Sequence, residues 1–175
     1  MNVHEIMEPN VQWCRPDTNL AEAAAMMWQY DCGILPVIDG NGKVYGTITD
    51  RDICIAAGTR NMPASQIKVD DVMSHHVVSC DEDDDVETAL NAMRAQKVRR
   101  LPVTNAGGQL SGIISITDVI RHANDARRPG KAGIPMAGAL KALQEINTRE
   151  PRENRALEQM LESAGVHTGD FDFEE

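Results

Sequence analysis

The sequence predicts a mixed α/β (α+β) fold: two β-α-β-β-α repeats packed about a pseudo-twofold axis, followed by short C-terminal helices. Three observations predict it. Gly46-Thr47-Ile48-Thr49-Asp50-Arg51-Asp52 returns as Gly112-Ile113-Ile114-Ser115-Ile116-Thr117-Asp118, an offset of 66 at both ends. The same offset, without a gap, lays Met7 on Met73, Cys14 on Cys80, Ala23 on Ala89, Met27 on Met93, Leu35-Pro36-Val37 on Leu101-Pro102-Val103 and Gly42 on Gly108. Such a duplication sets the architecture before any single element does. Within each copy, helical periodicity gives way to two short apolar runs joined by a glycine-bearing turn, and then to a second helix.

In the first copy, residues 3–7 are a short lead-in and residues 11–14 a strand, stopped by Arg15-Pro16-Asp17. Thr18 is placed as N-cap of the first helix, because its hydroxyl can accept from a first-turn amide and Glu22 stands close to the capping-box position. Leu20, Ala23, Ala24 and Met27 form the apolar stripe of that helix to about residue 30, and Gly33 is read as its stop. Residues 34–39 form a buried strand, Gly40-Asn41-Gly42 a hairpin turn, and Val44–Thr49 the returning strand. A helix from Asp50 to about Ala57 ends at Gly58. The second copy repeats the plan: strand 77–80, helix Val86–Gln96, strand 101–104, turn 105–108, strand Leu110–Ser115 and a helix from Ile116. The boundaries expected are a first repeat at 1–58, a linker at 59–70, a second repeat at 71–122 and an extension at 123–175.

Composition narrows the function classes. With 175 residues, each half is marginal alone, so the halves are expected to share a core. Aromatics are only 3% of the chain, so that core is aliphatic. The net charge is −10, and residues 1–123 hold 10 Lys and Arg against 17 Asp and Glu. That balance disfavours a nucleic-acid binder, which needs a basic excess over phosphates. Cys14, Cys32, Cys54 and Cys80 lack metal-ligand spacing, and the repeat-equivalent Cys14 and Cys80 read as buried thiols. Neither a leader nor a membrane-length apolar run is present, so a cytoplasmic chain without membrane contact is expected. No Ser/His/Asp or Cys/His set and no phosphate-binding P-loop stands out. Asp52 with Asp118 lacks a nucleophile or metal to make a catalytic dyad, and enzyme activity is not expected. The acidic run 81–85 lacks calcium-loop spacing and suits the positive end of the following helix. His75-His76 reads as a loop, and no metal site is expected.

The chemistry concentrates in the duplicated stretch. Thr49 and Ser115 stand at strand-to-helix junctions, where free amides favour an anion. Asp52 and Asp118 follow three residues on, about one helical turn away on nearly the same face. A carboxylate there can accept from both hydroxyls of a ribose. Hydroxyl plus carboxylate therefore suits a ribose-phosphate, although both residues also make good helix caps. The late glycine of each strand admits either a ligand or a neighbouring backbone.

These residues carry a resemblance. Thr49-Asp50-Arg51-Asp52-Ile53, together with Val98-Arg99-Arg100-Leu101-Pro102-Val103, resembles tandem CBS-domain pairs, the Bateman module, and especially the small stand-alone bacterial CBS proteins. The resemblance covers residues 1–122. It implies a regulatory module that needs no obligatory cofactor, takes an adenine nucleotide or S-adenosylmethionine as regulatory ligand, and pairs into a homodimeric disc. It also implies two clefts. One would combine Ser115, Asp118 and Arg100 with Thr18 and the backbone of Gly33-Ile34. The other would combine Thr49, Arg51 and Asp52 with Asp84 and the backbone near Arg99. The first is preferred, because Arg100 offers a fork for phosphate where its repeat equivalent is Ile34, and because Asp84 would repel phosphate in the other. The rival reading is an interaction protein with vestigial clefts, acting through its C-terminal helices. Those helices, at 136–146 and 152–161, carry apolar edges Leu140/Leu143/Ile146 and Leu157/Met160/Leu161. They need packing to persist, whether by covering the module, by docking to the second subunit of the dimer or by binding an effector protein.

Overall fold

Asp39 and Asn105 show why the chain reverses where it does. In the computed structural model, which describes residues 1–123 and 136–148, Asp39 Oδ1 accepts from the amides of Asn41 and Lys43 at 2.8 and 2.9 Å. Asn105 Oδ1 does the same for Gly107 and Gln109 at 2.9 and 3.1 Å. Gly42 and Gly108 then take φ of +79° and +75°, a region that glycine enters at little cost. These turns set the register of β1 (Ile34–Ile38) on β2 (Val44–Thr49) and of β4 (Arg100–Thr104) on β5 (Leu110–Ser115), both antiparallel. The hairpins meet at their turns, where Lys43 bridges its own repeat equivalent, Gln109. The pseudo-twofold axis passes there.

The expected first strands shrink. Strand 11–14 is reduced to one parallel bridge, Cys14 to Val37, and strand 77–80 to β3 (Cys80–Asp81), parallel to β4. Helices α1 (Leu20–Gln29), α2 (Asp50–Thr59), α3 (Val86–Gln96) and α4 (Ile116–Ala123) fall where the periodicity places them. Three of their ends differ from expectation. Asn19, not Thr18, caps α1 by accepting from Glu22 N at 3.0 Å, while Thr18 Oγ1 accepts from Arg15 N and closes the preceding turn. Helix α1 ends at Asp31, which is left-handed at φ 50°, as is its repeat equivalent Lys97 at φ 52°. Gly33 serves instead as a close-approach position: a Cβ there would stand 3.0 Å from Asp50 Oδ2. Gly58 lies inside α2, which runs on to Thr59 before Asn61 turns left-handed.

The halves are tied by exchanged segments. Val3 and Ile6 are buried in the second repeat's core with Val86, Met93, Leu101 and Ile114. Ile67 and Val69, from the stretch read as linker, and Met73, from the start of the stretch read as second repeat, are buried in the first repeat's core with Leu20, Leu35 and Ile48. Two aliphatic cores result, each completed by a segment from outside its own repeat. The bridges obey the symmetry: Glu8 pairs with Ile113 as Ser74 pairs with Thr47. This settles what the duplicated glycines admit. A Cβ on Gly46 would meet Met73 Sδ at 2.7 Å and Ser74 O at 2.8 Å; one on Gly112 would meet Glu8 O at 2.7 Å and Met7 Sδ at 2.9 Å. Both glycines make room for the incoming backbone, not for a ligand.

One helix breaks the symmetry. Helix α5 (Met136–Asn147) lies on α3 and α4, with Ala139, Ala142 and Ile146 buried and Leu143 half-buried. The expected edge is thus rotated, and Leu140 is 51% exposed. Small residues at 139 and 142 let the helices approach closely, which a leucine facing inward would prevent. Arg94 grips Glu145 with two bonds, Nε to Oε2 at 2.6 Å and Nη2 to Oε1 at 3.0 Å. Trp28, the repeat equivalent of Arg94, is 90% exposed, and among the described residues no helix covers its face. The helix expected at 152–161 lies outside the described residues.

Candidate functional site

Strand register creates the site. Arg100 and Ser115 are directly opposed across β4 and β5, which holds their side-chain origins within about 5 Å. Ser115 ends β5 and caps α4. Its amide and hydroxyl donate to Asp118 Oδ2 at 2.9 and 2.5 Å, and its oxygen accepts from Asp118 N at 3.2 Å. The motif's spacing is thus a reciprocal capping box. It uses Oδ2 and leaves Oδ1 outside the box, with Arg121 Nη1 3.8 Å away. The capping role and a ribose-accepting role are therefore compatible at one carboxylate.

These residues line a cavity of about 370 Å³ with Glu8, Asn10, Val11, Gln12, Tyr30, Asp31, Cys32, Gly33, Ile34 and Ile113. Five of the six residues expected here meet: Gly33, Ile34, Arg100, Ser115 and Asp118. Thr18 does not line the cavity, since its hydroxyl is committed to Arg15 N. Arg100 is exposed to the cavity, with no hydrogen-bond or ion-pair partner among the described residues. An unpaired guanidinium beside a hydroxyl and a helix N-terminus is an anion-binding arrangement. The wall formed by Glu8, Asn10 and Gln12 was not foreseen, because it depends on the N-terminal segment crossing to the second repeat. The repeat offset carried a usable signal: Glu8 stands at the position of Ser74.

The second constellation is only partly assembled. Thr49 and Asp52 form the same capping box, with the hydroxyl donating at 2.6 Å and the amide at 2.9 Å. Asp84 Oδ2 accepts from Asp81 N at 2.9 Å, closing the turn before α3. Arg99 gives its backbone carbonyl to Ile116 N, while its side chain reaches Asn147 on α5. Arg51, at the start of α2, is exposed.

Cys14 and Cys80 are buried free thiols, and desolvation pushes both up to about 12. Among the described residues no cluster of His, Cys, Asp or Glu is arranged to hold a metal. No described helix is long and apolar enough to cross a membrane.

Comparison with known proteins gives the family and the fold. The CBS domain model matches residues 3–58 and again 69–125. The chain belongs to the CBS-domain family. It is 33% identical over 131 residues to the protein YlbB of Bacillus subtilis, covering 74% of this chain and 87% of that one. The structure of CBSX2 in complex with AMP superposes with a TM-score of 0.64 at 27% identity, covering 73% of this chain and 98% of that one. The CBS domain pair of MJ0100, in complex with 5′-methylthioadenosine and S-adenosyl-L-methionine, gives 0.65 at 22% identity, covering 73% and 98%. At that identity the last likeness speaks for the fold alone.

Proposed function

We propose that this CBS pair is a non-catalytic, cytoplasmic sensor that binds an adenosyl nucleotide in the cleft between its repeats. One observation carries the reading: the Arg100 guanidinium, without a hydrogen-bond or ion-pair partner among the described residues, lines the same cavity as Ser115 and Asp118. The phosphate would sit at the Arg100 guanidinium, beside the N-terminal end of α4. The ribose would donate to Asp118 Oδ1, and the base would lie against the backbone of Gly33 and Ile34. The AMP complex of CBSX2 supports the ligand class. The second constellation, Thr49, Arg51, Asp52 and Asp84 with the backbone near Arg99, is the weaker candidate, because Arg99 turns its side chain to α5.

Signalling follows from position. Helix α4 carries Asp118 at its start and buries Val119 and Ala123 in the core that also holds Ala139, Ala142 and Ile146 of α5. A ligand that favours one placement of α4 biases the packing of α5 and the arrangement of a homodimer, by the difference in its affinity for the two states. The rival role, an interaction protein acting through the C-terminal helices, is less favoured because α5 commits its apolar face to its own second repeat.

Calorimetric titration with AMP, ADP, ATP and S-adenosylmethionine tests the reading. Saturable binding that Asp118→Ala abolishes and Asp52→Ala preserves is expected. Loss only in Asp52→Ala would move the site to the other cleft.

A further inference from the structure

We propose that the Arg100 cleft is limited by charge: it takes adenosyl ligands bearing at most one phosphate group, and Glu8 and Asp31 set the limit. The inference rests on reading this cleft as the nucleotide site and specifies which nucleotides enter it. Among the described residues, the lining provides one cation, Arg100, against three carboxylates, Glu8, Asp31 and Asp118. Arg121, 3.8 Å from Asp118 Oδ1, offsets that carboxylate. Glu8 and Asp31 have no ion-pair partner among the described residues.

Both carboxylates are held in place by backbone. Glu8 exchanges two main-chain bonds with Ile113, at 2.9 and 3.0 Å. Its Oε1 accepts from Asn10 N at 3.0 Å, which pins the side chain to the cleft wall. Asp31 ends α1 in the left-handed conformation, and Asp31 N donates to Trp28 O at 3.4 Å. The geometry carries these negative charges to the cavity wall.

A single phosphate takes up the guanidinium, because the Ser115 hydroxyl proton and the Asp118 and Ile116 amides are already committed to Asp118 Oδ2, Ser115 Oγ and Arg99 O. A second or third phosphate meets no further cation among the described lining residues and lies in the field of Glu8 or Asp31. Because both groups face solvent, their repulsion is partly screened, and selectivity shrinks as salt rises. A tail with positive charge, such as a sulfonium or an ammonium, meets the opposite field.

The test is calorimetric titration of the full chain with AMP, ATP and S-adenosylmethionine at low and high salt, for the natural sequence and for Glu8→Gln/Asp31→Asn. Both replacements keep the local structure: Gln retains the Oε1 acceptor, and Asn tolerates the left-handed conformation. The natural chain is expected to bind AMP at least about tenfold more tightly than ATP at low salt. The double variant is expected to narrow that ratio to within about threefold, mainly through tighter ATP binding. ATP binding as tight as AMP, or a ratio unchanged in the double variant, overturns the charge limit and leaves the cleft reading standing. Absence of binding by all three ligands overturns both.

Discussion

Gly112→Ala tests how the repeats are joined. The added Cβ would stand 2.7 Å from Glu8 O and 2.9 Å from Met7 Sδ. Met7 can rotate away, but the carbonyl belongs to a backbone held by Glu8 N to Ile113 O at 2.9 Å and Ile113 N to Glu8 O at 3.0 Å. An ordinary carbon–oxygen separation therefore requires the N-terminal segment to retreat by several tenths of an ångström, weakening both bonds. Overpacking of this kind costs about 1–3 kcal/mol, and each weakened hydrogen bond adds up to about 1 kcal/mol. The sum is about 1–5 kcal/mol, which for a chain of this size lowers Tm by roughly 2–20 °C. Urea unfolding and thermal melts would measure it. Gly46→Ala, facing Ser74 O at 2.8 Å, is expected to cost about as much, whereas Gly58→Ala, whose Cβ meets nothing, gains up to about 1 kcal/mol of helix propensity. Stability of Gly112→Ala within about 0.5 kcal/mol of the natural chain would refute the reasoning, since that is the usual surface tolerance.

Three further outcomes follow from the structure. Asn19→Ala is expected to cost about 1 kcal/mol through loss of the α1 cap, measured by urea unfolding against Thr18→Ala, which leaves that cap intact. Burial raises Cys14 and Cys80 from 9.0 to about 12, so both thiols stay protonated in the folded chain after the unfolded chain has lost its protons. Their share of stability is intact below about pH 9 and falls as pH climbs toward 12, by about 1 kcal/mol per pH unit for each thiol; melts against pH should show a shallower alkaline decline in Cys14→Ala/Cys80→Ala. The hydrogen bond from Arg94 holds Glu145 below its ordinary carboxylate range, so the support it gives α5 is present above about pH 4.5 and lost as pH falls through the depressed value. Glu145→Gln should accelerate amide exchange in residues 137–146 at neutral pH and leave β4 and β5 unchanged.

Much of the fold was legible because the duplication supplies every element twice. Val44–Thr49, Val86–Gln96 and Leu110–Ser115 fall at the expected residues, since apolar pattern and turn chemistry agree there. What misled were local signals with two readings. Thr18 and Asn19 are both good caps, and the choice rests on which side chain the preceding turn consumes. Gly33 and Gly58 read as helix stops, but Asp31 and Asn61 take the left-handed positions, and the glycines answer to packing or to nothing. The exchange of residues 3–6 and 67–73 between cores could not be read from periodicity, which gives an element's buried face but not the element it faces. The site was legible to the same extent. Ser115, Asp118 and Arg100 lie within the repeat, whereas Glu8 and Asp31 reach the cleft through the crossing segment and a helix end.

A crystal structure of the chain with AMP tests the central claim most directly. The account predicts ligand density in the cavity between Arg100, Ser115 and Asp118, with the phosphate at the guanidinium and the ribose hydroxyls at Asp118 Oδ1. AMP bound at Thr49 and Asp52 alone, or a cleft left empty at saturating AMP, would contradict it.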